Sequence, residues 1–152
     1  MPSRLHTDEI LSLEVEAIFR RRDTGSALKP TGRGRPLYRQ LNECKLAALC
    51  LSGGGIRSAA FGLGVLQALA SSPETVAPTE WDTISEEEVA KKASNSLLAQ
   101  FDYLSTVSGG GYIGSWLSAW CTRAGFPNIW RYLVARPCSP DTEPSQINWL
   151  RS

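Results

Sequence analysis

Two short stretches hold residue types that could do chemistry. The first is Thr106-Val107-Ser108-Gly109-Gly110, a Gly-x-Ser-x-Gly elbow with threonine in place of its first glycine. In such an elbow the serine sits on a strained strand-to-helix turn that lifts its hydroxyl clear of the sheet, where it can act as a nucleophile. The Gly109 N–H, next in the chain, would add a hydrogen-bond donor beside it. Serine at a helix start also serves as an ordinary cap, and this stretch alone leaves both roles open. The second is Ser52-Gly53-Gly54-Gly55-Ile56-Arg57-Ser58. Its glycines allow positive dihedrals and close approach of a ligand, and N–H groups at a helix start make a site for an anion. That anion could be a phosphate or the oxyanion of a tetrahedral intermediate. A nucleotide P-loop would need Gly-Lys-Ser/Thr where this turn has Gly55-Ile56-Arg57-Ser58, and a dinucleotide fingerprint would need a third glycine where Ser58 stands, although Glu74 lies near the acid position.

The flanking residues predict the elements that position these turns. Residues 46–51 form a short apolar run that ends at Ser52, as a strand buried on both faces does. Ile56 to Ala70 is almost wholly small or aliphatic and reads as a helix buried on most sides. Ser85 and Glu88 make a capping box for a second, more exposed helix to about Gln100. Residues 101–107 read as another strand. The helix after it sets Tyr112, Ile113, Trp116, Leu117, Trp120 and Cys121 on one face and Gly114, Ser115, Ser118 and Ala119 on the other. Two strand–turn–helix units in succession predict an α/β fold with a mostly parallel sheet, with ligands at the carboxyl ends of its strands. Both glycine turns lie at that edge.

Taken together, Leu51-Ser52-Gly53-Gly54-Gly55-Ile56-Arg57-Ser58 and Phe101-Asp102-Tyr103-Leu104-Ser105-Thr106-Val107-Ser108-Gly109-Gly110-Gly111-Tyr112 resemble the patatin-like phospholipases, over about residues 46–120. The resemblance implies a three-layer α/β/α lipid acyl hydrolase. It makes Gly53, Gly54 and Gly55 the oxyanion hole, Arg57 its neighbouring basic residue and Ser108 the nucleophile, with an aspartate in place of the usual histidine. It implies no metal and no organic cofactor. Thr106 departs from the commonest elbow in a way that is sterically awkward rather than chemically disabling.

A base for Ser108 is harder to find. The only histidine, His6, precedes the serine, whereas in hydrolases with this elbow the histidine follows it. The family's aspartate comes from a later Asp-Gly turn, and none of Asp8, Asp23, Asp82, Asp102 or Asp141 is followed by glycine. Asp141 and Glu143, the only acids after Ser108, lie in a proline-punctuated loop. Asp102 stands at the far end of the strand that bears Ser108, roughly 20 Å away. The simplest expectation is an N-terminal part of a hydrolase domain, incomplete at its C-terminus, with the hole and nucleophile but without the base.

Composition narrows the rest. With 16 basic and 15 acidic residues the net charge is +1, too small a field to hold nucleic acid. No apolar run is long enough to span a bilayer and no signal-peptide core opens the chain, so a cytoplasmic setting is expected. Cys44, Cys50, Cys121 and Cys138 are too dispersed for a disulfide framework or a zinc site. Residues 1–40 hold eight basic groups against five acids and read as a basic helix from Thr7 to Arg22 followed by a linker; residues 41–152 form the hydrolase part. The expected partner is a lipid or fatty ester. The arginine-rich helix end could touch lipid headgroups, although a solvated helix end explains it as simply. Arg57 could hold a headgroup or, preferably, the glycine loop. Trp116, Trp120 and Cys50 are expected in the core, and Trp130, Tyr132 and Trp149 at an exposed apolar surface. The competing functions are a nucleotide- or phosphate-binding module with Ser108 as a helix cap, and a noncatalytic piece.

Overall fold

The computed structural model describes residues 5–22, 30–73 and 84–134. It divides into two compact units, residues 1–47 and 48–152. In the first, helix α1 spans Thr7–Arg22, with Asp8 and Glu9 in its first turn and Arg20, Arg21 and Arg22 in its last. Both ends carry the charge that the helix dipole favours. Arg20 pairs with Glu16 one turn back at 2.5 Å. The stretch expected to be a linker contains a second helix, α2 (Arg35–Glu43). Its glycines and prolines begin the helix instead of preventing one. Gly34 takes φ 62° at the N-cap and Pro36 sits in the first turn, where its missing N–H has no helical partner to lose. Residues 23–29 of that stretch lie outside the described residues.

The second unit carries the sheet. Strand β1 (Ala48–Leu51) pairs in parallel with β2 (Tyr103–Thr106), so that Leu51 stands opposite Thr106. Between them run α3 (Gly55–Ala70), α4 (Glu86–Asn95) and a 3-10 turn at Leu97–Gln100. The capping box is present: Ser85 Oγ accepts from Glu88 N–H while the Glu88 carboxylate accepts from Ser85 N–H. The expected helix to Gln100 stops at Asn95, because Ser96 turns to extended backbone and its hydroxyl accepts from Ala99 N–H to start the 3-10 turn. After β2 come α5 (Gly109–Ala124) and α6 (Phe126–Val134). One apolar core joins Leu51 to Leu63 and Leu66 of α3, Val89 of α4, Ile113 and Leu117 of α5 and Ile129 of α6. Each such side chain contributes on the order of 2 kcal/mol by its burial. The structure is helix-rich around a small parallel sheet, and no described helix is long and apolar enough to cross a membrane.

Several expectations are corrected. The β1 strand is not buried on both faces: Ala48 and Cys50 are exposed, as are their register partners Tyr103 and Ser105. The described helices share the core on the Leu51 side, and strand alternation turns Cys50 to the opposite face. Cys50 therefore packs into no core among the described residues. Burial pushes the thiols of Cys44 and Cys121 up, which lowers their thiolate fraction. Iodoacetamide should accordingly modify Cys50 about tenfold faster than either, as read by peptide mass spectrometry; equal rates would contradict this exposure pattern. Helix α3 buries Ala59, Gly62, Leu63, Leu66 and Ala70, but Ile56, Ala60, Phe61 and Gly64 are exposed, so it is covered on one side only.

Helix α6 falls in a region where the sequence pattern is weak, because Pro127 opens it. Trp130, expected at the surface, is 1% exposed, and its indole Nε1 donates to the Ala70 carbonyl at 2.8 Å. That bond closes the end of α3 with the one polar atom the buried ring has to satisfy. Trp120 is buried and lies 4.9 Å from the half-buried Trp116, which agrees with a core role. Tyr132 is partly exposed and stacks on Trp120 at 5.5 Å. Trp149 lies outside the described residues.

Candidate active site

Because β1 and β2 are parallel and in register, the chain leaves both strands at the same sheet edge. The two glycine turns therefore meet. Val107 N–H donates to the Leu51 carbonyl at 3.1 Å, extending the ladder one residue beyond β2. Immediately after, Gly109 N–H donates to the Gly53 carbonyl. The backbones are so close that a Cβ on Gly109 would stand 2.6 Å from Gly55 O, 2.7 Å from Gly53 O and 2.9 Å from Gly55 N. A Cβ on Gly110 would stand 2.5 Å from the Leu51 carbonyl carbon. Both glycines are required by backbone approach. Gly114 receives the Thr106 side chain, which a Cβ there would overlap. Threonine at the first elbow position is thus accommodated by a missing side chain about one and a half turns into α5.

Ser108 lies between Val107 and this contact. Its backbone takes φ 57° and ψ −126°, a left-handed conformation that side chains resist and that appears where surrounding structure imposes it. It stands at the N-cap position of α5, yet its side chain makes no capping hydrogen bond, and the residue is exposed. The helix-cap role that rivalled the nucleophile role is not what this serine performs.

The three glycines divide the work of the other turn. Gly53 has φ 141° and Gly55 φ 76°, the positive values that the bend from β1 into α3 requires. The Gly53 carbonyl accepts from Gly109, and the Gly54 carbonyl accepts from Ser58 Oγ at 3.3 Å. Gly54 is the N-cap of α3 and Gly55 its first residue, so their N–H groups belong to the orphan donors of a helix start. Among the described residues neither has a hydrogen-bond acceptor. The Gly109 N–H, expected to face an oxyanion, is instead engaged by Gly53 and would have to exchange that partner to serve.

Arg57, in the first turn of α3, is exposed and makes no hydrogen bond or ion pair among the described residues. No contact supports the expectation that it fixes the glycine loop. Arg57→Ala should therefore leave the melting temperature within about 2 °C of wild type, as exposed substitutions away from specific contacts do. A fall of several degrees would restore the loop-fixing role.

A model of the family described as Patatin-like phospholipase matches residues 49–142. The chain belongs to the patatin-like phospholipase family. The match takes in both glycine turns and runs from Leu49 within β1 past the end of α6. No curated protein and no solved structure matches the chain. Within this patatin-like unit the described acids are held elsewhere than at the elbow. Glu86 pairs with Arg131 at 3.3 Å, Glu88 belongs to the capping box, and Asp102 precedes β2 at the opposite end from Ser108. His6 lies in the N-terminal unit, where its Nδ1 accepts from Asp8 N–H at 3.3 Å. Asp141 and Glu143 lie outside the described residues.

Proposed function

We propose that this protein is a serine lipid acyl hydrolase with Ser108 as its nucleophile. The observation that carries the proposal is the backbone of Ser108, held at positive φ with its hydroxyl unused for capping. Neither a helix cap nor a phosphate-binding turn needs that strain, whereas a nucleophile elbow does. Membership of a phospholipase family supplies the substrate class, an ester of a fatty acid.

The Ser108 hydroxyl attacks the ester carbonyl carbon as its proton passes to a base, and the carbonyl oxygen becomes an oxyanion. The N–H groups of Gly54 and Gly55 are the donors we assign to it, assisted by the positive end of the α3 dipole. Collapse of the tetrahedral intermediate breaks the bond to the alcohol, which leaves with the proton, and water then releases the fatty acid from the acyl-serine. Gly53 shapes the hole without donating to it, and Gly109 joins the two turns. The base in this proposal is an aspartate, forming a Ser–Asp dyad in a three-layer α/β/α domain; it is not one of the described acids.

A fluorophosphonate probe tests the nucleophile directly, because it labels an activated serine hydroxyl and leaves unactivated ones alone. Labelling mapped by mass spectrometry should fall on Ser108 and vanish in Ser108→Ala. Labelling elsewhere, or none at Ser108, would defeat the proposal.

A further inference from the structure

The peptide unit between Gly53 and Gly54 faces the elbow with an acceptor. Its carbonyl takes the hydrogen bond of Gly109 N–H, the amide next to the nucleophile. The unit is trans, and a trans peptide is planar with its C=O and N–H on opposite sides. The Gly54 N–H of the same unit therefore points away from Gly109. Beside Ser108 there is thus a carbonyl oxygen, and that oxygen occupies a donor that could serve the hole. A developing oxyanion needs the reverse, donors already aimed at it.

The surroundings of this unit leave it free to turn over. It has glycine on both sides, and Gly53 already stands at φ 141°, so no Cβ has to pass through a forbidden region. Gly54 is exposed, and a Cβ there would meet nothing within 4 Å. Gly54 N–H has no acceptor among the described residues, so a turn breaks the bond from Gly109 and no other described bond of the unit. The chain is fixed close by on either side. The Leu51 carbonyl accepts from Val107 N–H, and the Gly54 carbonyl accepts from Ser58 Oγ at 3.3 Å.

We propose that the oxyanion hole is closed at rest and opens when the Gly53–Gly54 peptide unit turns over. Rotation about the line joining the two α-carbons exchanges the directions of the carbonyl and the N–H. The Gly53 carbonyl swings away and releases Gly109 N–H, while Gly54 N–H swings in. Both amides then meet the oxyanion beside Gly55 N–H, and no covalent bond changes in the turn. The oxyanion stabilises the open form because it accepts from donors that the closed form withholds. The proposal rests on the hydrolase reading of Ser108 and gives that site a resting state, so the rate of reaction scales with the open fraction.

The turn carries Gly54 from φ −95° into the positive region, which a Cβ resists. Gly54→Ala is therefore the deciding variant. Alanine adopts the resting angle without strain and has room there, so the variant should melt no lower than wild type. It keeps every backbone N–H but opposes the open form, and fluorophosphonate should label Ser108 about five- to thirtyfold more slowly. The Gly109 amide provides a second measurement that needs no reactive serine. Its hydrogen bond opens by the same turn, so its hydrogen exchange, followed by NMR, should slow by the same factor in Gly54→Ala. The Gly111 amide, which donates to the Ser108 carbonyl, should keep its exchange rate. Gly64→Ala, at an exposed position of α3 where a Cβ meets nothing within 4 Å, should leave both measurements unchanged. Unchanged exchange at Gly109, wild-type labelling of Gly54→Ala, or a Gly54→Ala that melts below wild type would each overturn the closed hole. Slowed exchange with Ser108 unlabelled in both proteins would defeat the hydrolase reading and leave the peptide turn standing; equal labelling of both would defeat the closed hole and leave the hydrolase.

Discussion

Ser108→Gly should make the protein more stable while abolishing its reaction with fluorophosphonate. Ser108 holds φ 57° and ψ −126°, which for a residue with a Cβ costs on the order of 1 to 3 kcal/mol. Glycine adopts such angles freely and gives back only about 0.5 to 1 kcal/mol through the greater freedom of its unfolded chain. The net gain is centred near 1 kcal/mol, within a range of about 0 to 2.5 kcal/mol, and each kcal/mol raises the melting temperature of a chain of this size by about 2 to 4 °C. Ser108→Ala separates strain from hydroxyl, since alanine keeps the Cβ and loses only the oxygen. Because that oxygen makes no capping bond, Ser108→Ala should melt with the wild type. A capping serine would behave in the opposite way, losing about 1 kcal/mol on conversion to alanine and little on conversion to glycine. Thermal denaturation of the two variants followed by circular dichroism distinguishes these outcomes, and a destabilised Ser108→Ala without a stabilised Ser108→Gly would remove the elbow.

The largest loss is expected from Gly110→Ala. A Cβ at this position would stand 2.5 Å from the carbonyl carbon of Leu51 and 3.0 Å from Ser52 N. These atoms belong to the backbone at the end of β1, so no rotamer change can relieve the overlap. Either α5 moves away from the sheet or β1 shifts in register, and both disturb the Leu51, Ile113 and Leu117 packing. Overpacking that the surroundings cannot absorb costs roughly 3 kcal/mol or more, a large share of the 5 to 15 kcal/mol typical of a domain. The melting temperature should fall by about 6 °C or more, or the chain should fail to accumulate as folded protein. Gly111→Ala is the matched control, because a Cβ there meets nothing within 4 Å. If Gly110→Ala melts with that control, the close contact between α5 and β1 does not exist in solution.

The strand–turn–helix units were legible in the chain because their signals are local. An apolar run stopped by three glycines, and an aromatic and β-branched run stopped by three more, can each be recognised without neighbours. The Ser85 and Glu88 capping box is equally local, since both partners lie within one turn. The two helices that escaped detection, α2 and α6, each open with a proline preceded by a glycine, at Gly34 with Pro36 and at Gly125 with Pro127. The same residues that interrupt a helix also begin one, and composition does not distinguish the two uses. Cys50 and Trp130 show the other failure. Hydrophobicity ranked one as core and left the other at the surface, but burial depends on what packs against a face, and only the arrangement of α3 and α6 determines that.

Residue chemistry and spacing mark Ser108 and the Gly53 to Gly55 bend as candidates, because both stretches are short-range patterns of small residues. Which amides of the two turns remain unpaired among the described residues was decided only in three dimensions. The register that sets Leu51 opposite Thr106 brings Gly109 against Gly53, engages its N–H there and leaves those of Gly54 and Gly55 unpaired among the described residues. A hydrogen bond between residues so far apart in the chain leaves no periodicity to read; it exists because two parallel strands end at the same level.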